Sequence, residues 1–227
     1  MSCEQEKSRA RIKRISVGTI AGISAILILS IFCLAAKQFV MPAVQPAKTY
    51  PAHDEHGDEA VTVALDPYDA ADKSSIFSVQ YEQIGMLPIL LVVTNDGDQP
   101  VLLADMKAQL VTADRSKISP AVPDDIERRL SHPTASTNRY PLPFPTKKVK
   151  GGVGAAAREE IENARFGAKA VEPHSTQAGF LFFDVRGISA PLAGAHFYLT
   201  GVRNSQGSEM MYFEVPLEKY LSAPRKP

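Results

Sequence analysis

The chain has 227 residues, 44% of them apolar, and Lys+Arg balance Asp+Glu at 25 each. That composition supplies a core for one domain of ordinary size and excludes a wholly disordered chain. A formal net charge of zero removes the global attraction on which nucleic-acid binding rests, so no nucleic-acid partner is expected.

Residues 1–14 form a basic N-terminus carrying Lys7, Arg9, Arg11, Lys13 and Arg14. From Ile15 to Ala36 no residue is charged. As a helix this run would measure about 33 Å, enough to cross the hydrocarbon core of a bilayer. The basic flank puts the N-terminus in the cytoplasm and everything from about Lys37 onward outside it, which in a Gram-negative cell is the periplasm. The rival reading is a cleaved signal peptide, but the run exceeds the usual h-region and Leu34 is a poor residue at the −3 position. Gly18 and Gly22 have the spacing that lets two membrane helices approach closely. Cys3 and Cys33 are the only cysteines, so the part beyond residue 36 has no internal disulfide and must be held by its core.

Residues 37–60 contain Pro42, Pro46 and Pro51 and few large apolar side chains, and read as an extended linker. Within them lies His53-Asp54-Glu55-His56-Gly57-Asp58-Glu59. Imidazole and carboxylate ligands suit zinc, copper or nickel, which makes His53, Asp54, Glu55 and His56 a candidate metal set. The competing reading is a solvated charge run, because a flexible segment must lose entropy to close around an ion.

A domain is expected over residues 61–221, with 222–227 as a tail. Val61–Leu65 reads as a strand, and Phe77, Val79 and Tyr81 alternate with polar residues as in a half-buried strand. The apolar run Pro88–Thr94 ends in Asn95-Asp96-Gly97, a hairpin signal, with Val101–Leu103 and then Met106–Leu110 as partner strands. Residues 118–169 break this rhythm. They carry a short helix over Asp124–Leu130 after Pro123, prolines at 141, 143 and 145, Lys147, Lys148 and Lys150, and a second helix over Ala155–Arg165. Strands resume at Gly179–Val185, Ala195–Val202 and Met211–Val215. Leu91, Val93, Leu110, Phe180, Phe182, Phe197, Leu199 and Phe213 are expected inside. The class is mainly β: an antiparallel sandwich with a helical insertion, preceded by one transmembrane helix.

The stretch Leu91-Val92-Val93-Thr94-Asn95-Asp96-Gly97-Asp98-Gln99-Pro100-Val101, paired with Val171-Glu172-Pro173 through Gly179-Phe180-Leu181-Phe182-Phe183, resembles immunoglobulin-like extracytoplasmic domains of bacterial envelope proteins. Asp66-Pro67-Tyr68-Asp69 also resembles a segment of uncharacterised single-pass bacterial membrane proteins. The resemblance spans roughly residues 61–220 and implies a sandwich in the cell envelope. It implies no activity.

No G-x-S-x-G, H-E-x-x-H, G-x-x-x-x-G-K-[ST] or C-x-x-C occurs, so the commonest hydrolase, metalloprotease, nucleotide-binding and redox signatures are missing. His132, His174 and His196 stand singly. The sequence therefore leads to a non-enzymatic, membrane-anchored interaction module without catalytic residues or cofactor. Its membrane contact lies at residues 15–36 and a protein or envelope partner is expected at the 118–169 insertion. The alternative is an envelope metal-binding protein using His53 and His56.

Overall fold

The computed structural model describes residues 38–132 and 153–224. Its strands are β1 (Ala52–His56), β2 (Val61–Pro67), β3 (Met86–Asn95), β4 (Val101–Leu102), β5 (Lys107–Val111), β6 (Lys117–Ile118), β7 (Ala170–Val171), β8 (Ser175–Asp184), β9 (His196–Thr200) and β10 (Phe213–Pro216). Its helices are α1 (Ala71–Ser74), α2 (Pro123–Ser131), α3 (Ala155–Ala164) and α4 (Glu218–Leu221). One sheet has the order β1-β2-β3-β8, a second the order β10-β9-β5-β6, and β4 and β7 form a short ribbon. All these pairings are antiparallel. The protein is mainly β, consistent with a sandwich. Among the described residues no helix is long and apolar enough to cross a membrane; the 15–36 run lies outside them.

The first sheet is covered on both faces, which a minimal sandwich does not require. All ten residues of β3 are buried, the near-continuous apolar reading of a strand with no solvent face. Leu87, Ile89, Leu91 and Val93 point with Leu181 and Phe183 of β8 toward Leu110, Phe197, Leu199, Phe213 and Val215 of the second sheet. Leu90 and Val92 point the other way, with Phe180 and Phe182, into a second core. Every residue expected inside is buried, but Phe180 and Phe182 occupy this second core and not the inter-sheet one.

The second core is closed by segments expected to lie outside it. Ile126 of α2 and Ile161 and Ala164 of α3 are at most 1% exposed. The chain beside each helix also covers the free edge of β8. Ala121 N donates to Phe182 O at 2.7 Å, and Phe166 N donates to Phe180 O at 2.9 Å. An uncovered edge of that length would invite pairing with another chain. Gly179 permits the crossing, because a Cβ there would sit 2.4 Å from Phe166 Cα. The flanks of the 118–169 insertion thus belong to the fold; residues 133–152, including Lys147, Lys148 and Lys150, lie outside the described residues.

Three further expectations change. Residues 37–60 are not a free tether over their described part: Phe39, Met41 and Val44 pack on the second core, Ala47 and Ala52 are fully buried, and β1 pairs with β2. Phe77, Val79 and Tyr81 are buried as their alternation implies, yet they form no strand. Ser78 and Val79 instead donate their backbone N–H groups to the Glu160 carboxylate, a side chain standing where a strand partner would. Finally, the Asn95-Asp96-Gly97 turn closes no hairpin, because β3 pairs with β2 and β8 while β4 pairs with β7. Asn95 explains this: its Oδ1 accepts from Gly97 N, and its Nδ2 donates to Gln99 O and Val171 O, drawing the chain toward β7.

Candidate functional site

The pleat of β1 separates the candidate metal ligands, since successive side chains of a strand point to opposite faces. His53 Nδ1 donates to Tyr50 O at 2.6 Å. On the other face, His56 lies with Nδ1 2.9 Å from Glu59 Oε2 and Nε2 3.3 Å from Asp54 Oδ2, two carboxylates on opposite sides of one ring. Asp54 Oδ2 also accepts Glu214 N at 2.9 Å, and the His56 ring stacks on Phe213 with centroids 4.0 Å apart. These contacts join β1 to β10 and so tie the margins of the two sheets. Glu55 is exposed. Among the described residues no three His, Cys, Asp or Glu side chains are grouped to hold a metal ion.

A cleft of about 530 Å³ opens between residues 68–85, the start of β3 and the loop after β8. Tyr68, Phe77 and Tyr81 supply aromatic surface, and Gln80, Gln83 and Ser189 supply amide and hydroxyl groups. Its size falls in the range of small-ligand sites. The lining contains neither His nor Cys, so it holds no nucleophile paired with an imidazole base. Asp69 and Glu82 are its charged groups.

The wall formed by residues 68–85 contains no strand and is held by polar contacts at several points. Lys73 Nζ donates to Asp66 Oδ1 at 2.5 Å and to Pro67 O at 3.2 Å, and lies 4.7 Å from the Tyr220 ring centre. Tyr220 donates to Asp69 Oδ1 at 2.6 Å, linking α4 to the same corner. Glu160, 3% exposed, accepts Ser78 N at 2.7 Å, Val79 N at 3.1 Å and the Ser78 hydroxyl. Arg129 of α2 pairs with Asp184 at the end of β8, and Arg186 Nη2 donates to Ile84 O at 3.3 Å.

Tyr81 is 3% exposed, and its hydroxyl has no hydrogen-bond partner among the described residues. Burial, with the nearby Glu160 charge second, raises its phenol far above the ordinary range. Burial, followed by the Asp66 charge, raises Tyr68 likewise. Both rings remain neutral at physiological pH.

The outward face of the second sheet carries a polar group that sequence reading missed. Glu214 Oε1 accepts from Tyr198 OH at 2.8 Å and lies 2.9 Å from His196 Nδ1. The Glu214 hydrogen bond raises the Tyr198 phenol. Tyr212, 51% exposed, continues this surface, its ring centre 6.1 Å from that of Tyr198. The signal was present in part: with Phe197 and Leu199 inside, period-two alternation puts His196 and Tyr198 outside. That Glu214 lies beside them depends on the pairing of β9 with β10, which joins Tyr198 to Glu214 in register.

The chain matches no protein-family model and no curated protein. Among solved structures it is similar to a conserved hypothetical protein from Bacillus anthracis, with 12% identity over 69% of this chain and 87% of that one and a TM-score of 0.27. A likeness at that score carries no argument about fold or function.

Proposed function

We propose that the protein is a single-pass, membrane-anchored, extracytoplasmic binding module of the cell envelope, without enzymatic activity and with an immunoglobulin-like sandwich as its scaffold. The uncharged run 15–36 and the basic residues before it support the anchor and its orientation. Two antiparallel four-stranded sheets support the scaffold.

The observation that carries the binding reading is the cleft of about 530 Å³ whose wall, short helical turns and loop without a strand, is fixed by Lys73, Glu160 and Tyr220. Rigidly held loops on a sheet scaffold are where proteins place recognition surfaces, because little ordering entropy is then lost on binding. Aromatic surface with dispersed amides and hydroxyls, and no nucleophile–imidazole pair, favours binding over a reaction.

The test is site-specific photocrosslinking in cells with the full chain, the photoreactive residue replacing Gln83 in the cleft or Gln109 on the second sheet. A discrete adduct with an envelope component from position 83, absent from position 109, is expected. Equal adducts from both positions, or none from position 83, would refute the cleft as the binding site.

A further inference from the structure

We infer that the cleft takes an uncharged saccharide, held by side-chain hydrogen bonds to its hydroxyl groups. This inference rests on the reading of the cleft as the binding site. Four lining side chains, Gln80, Glu82, Gln83 and Ser189, make no hydrogen bond among the described residues, and all four residues are exposed. The amides and the hydroxyl both donate and accept, and the carboxylate accepts at either oxygen. A sugar hydroxyl also donates and accepts, so a polyol matches this mixed set. The Asp69 carboxylate, whose Oδ1 accepts from Tyr220, keeps a second oxygen for such a donor. Tyr68, Phe77 and Tyr81, at most 8% exposed, give the lining an apolar aromatic surface suited to the C–H face of a pyranose ring.

Other ligand classes fit less well. No Lys, Arg or His lines the cleft, so an anion such as a phosphate would meet Asp69 and Glu82 without a cation to pair with. A cation would meet Lys73, 5.5 Å from the Tyr68 ring centre, and Arg186, whose Cβ a side chain at Gly85 would touch at 3.1 Å. An extended peptide binds by adding to a free strand edge, and the cleft offers little of one. β3 pairs with β8 from Met86 to Asn95, and on its other side the Pro88 carbonyl already accepts Tyr68 N at 2.9 Å. A polyproline helix needs aromatic ridges to pack between, whereas these rings are buried. Recognition therefore falls to the unspent amide, hydroxyl and carboxylate groups.

The test places a photoreactive residue at Ser189 of the full chain in cells, leaving Gln80, Glu82 and Gln83 unchanged, and digests the adduct with protease before mass analysis. We expect the peptide containing position 189 to carry a carbohydrate remnant. A single remnant mass identifies a free oligosaccharide and a ladder of masses a glycan polymer, and either supports the inference. The paired change Gln80→Ala with Gln83→Ala, at two exposed positions, should keep the unfolding midpoint and lower the adduct yield several-fold. A peptide or lipid remnant overturns the saccharide while leaving the cleft as a binding site, and an unchanged yield from the paired variant overturns the assigned contacts. No adduct from position 189 overturns the cleft reading and this inference together.

Discussion

Removing the Glu160 carboxylate should loosen the cleft wall and destabilise the whole domain. Glu160 projects from α3 at 3% exposure and accepts two backbone N–H groups, from Ser78 and Val79, and the Ser78 hydroxyl. In Glu160→Ala the Val79 N–H loses its acceptor in a buried region beside Phe77, Tyr81 and Phe182, while the exposed Ser78 can turn its donors to water. A buried donor left unpaired costs about 1–3 kcal/mol. We expect about 2–3 kcal/mol, a large share of the roughly 5–15 kcal/mol that holds a domain together. Glu160→Gln keeps one acceptor oxygen but turns an NH2 group toward N–H donors, and should cost about half as much. The assay is denaturant unfolding of residues 38–227, one compact unit, reading the midpoint at constant slope. Amide exchange at Ser78 and Val79 accompanies it. A loss below about 1 kcal/mol, with unchanged exchange at both amides, would refute the claim that this carboxylate replaces a strand partner.

Gly179→Ala should cost about 2–3 kcal/mol, because its Cβ would meet the Phe166 backbone at 2.4 Å; an unchanged melting temperature would show that residues 165–166 do not cap β8. Phe182→Ala, at a site 2% exposed, should cost about 3–5 kcal/mol, and a cost below about 1 kcal/mol would show the second core to be dispensable. Tyr81→Phe should leave stability at neutral pH within about 1 kcal/mol of the parent, since the hydroxyl it removes is buried beside the Glu160 carboxylate without a well-formed hydrogen bond among the described residues. The same change should flatten the alkaline limb. Because the folded phenol is raised, its contribution is complete below the ordinary value near 10 and declines above it by about 1.4 kcal/mol per pH unit; identical alkaline limbs for Tyr81→Phe and the parent would contradict this.

Strand positions and burial were largely legible because alternation reports burial directly. Phe197, Leu199 and Phe213 follow it, and α2 begins at Pro123 as the proline and its two aspartates indicate. What escaped was which neighbour does the burying. Alternation cannot distinguish a side chain facing a second sheet from one facing helices, so it puts Phe180 and Phe182 inside without showing that helices cover them. Nor can it distinguish a strand from a segment whose N–H groups are taken by a distant carboxylate, as at Ser78 and Val79. Residues 37–60 read as a linker because their anchors are few and contact residues far away in sequence: Phe39 on Phe77 and Ala47 on Thr94. For the candidate site, the His53–His56 cluster was visible as composition, but the pleat that divides it appears only once β1 is known to pair with β2. The cleft depends on residues from positions 68 to 191, and no local pattern joins them.

The membrane-anchored, extracytoplasmic reading is tested most directly by a topology reporter fused after Pro227, together with the N-terminal sequence of the mature protein in the membrane fraction. The account predicts a reporter active only outside the cytoplasm and a mature chain that retains residues 1–36. Reporter activity in the cytoplasm, or a mature start near Lys37, would contradict it.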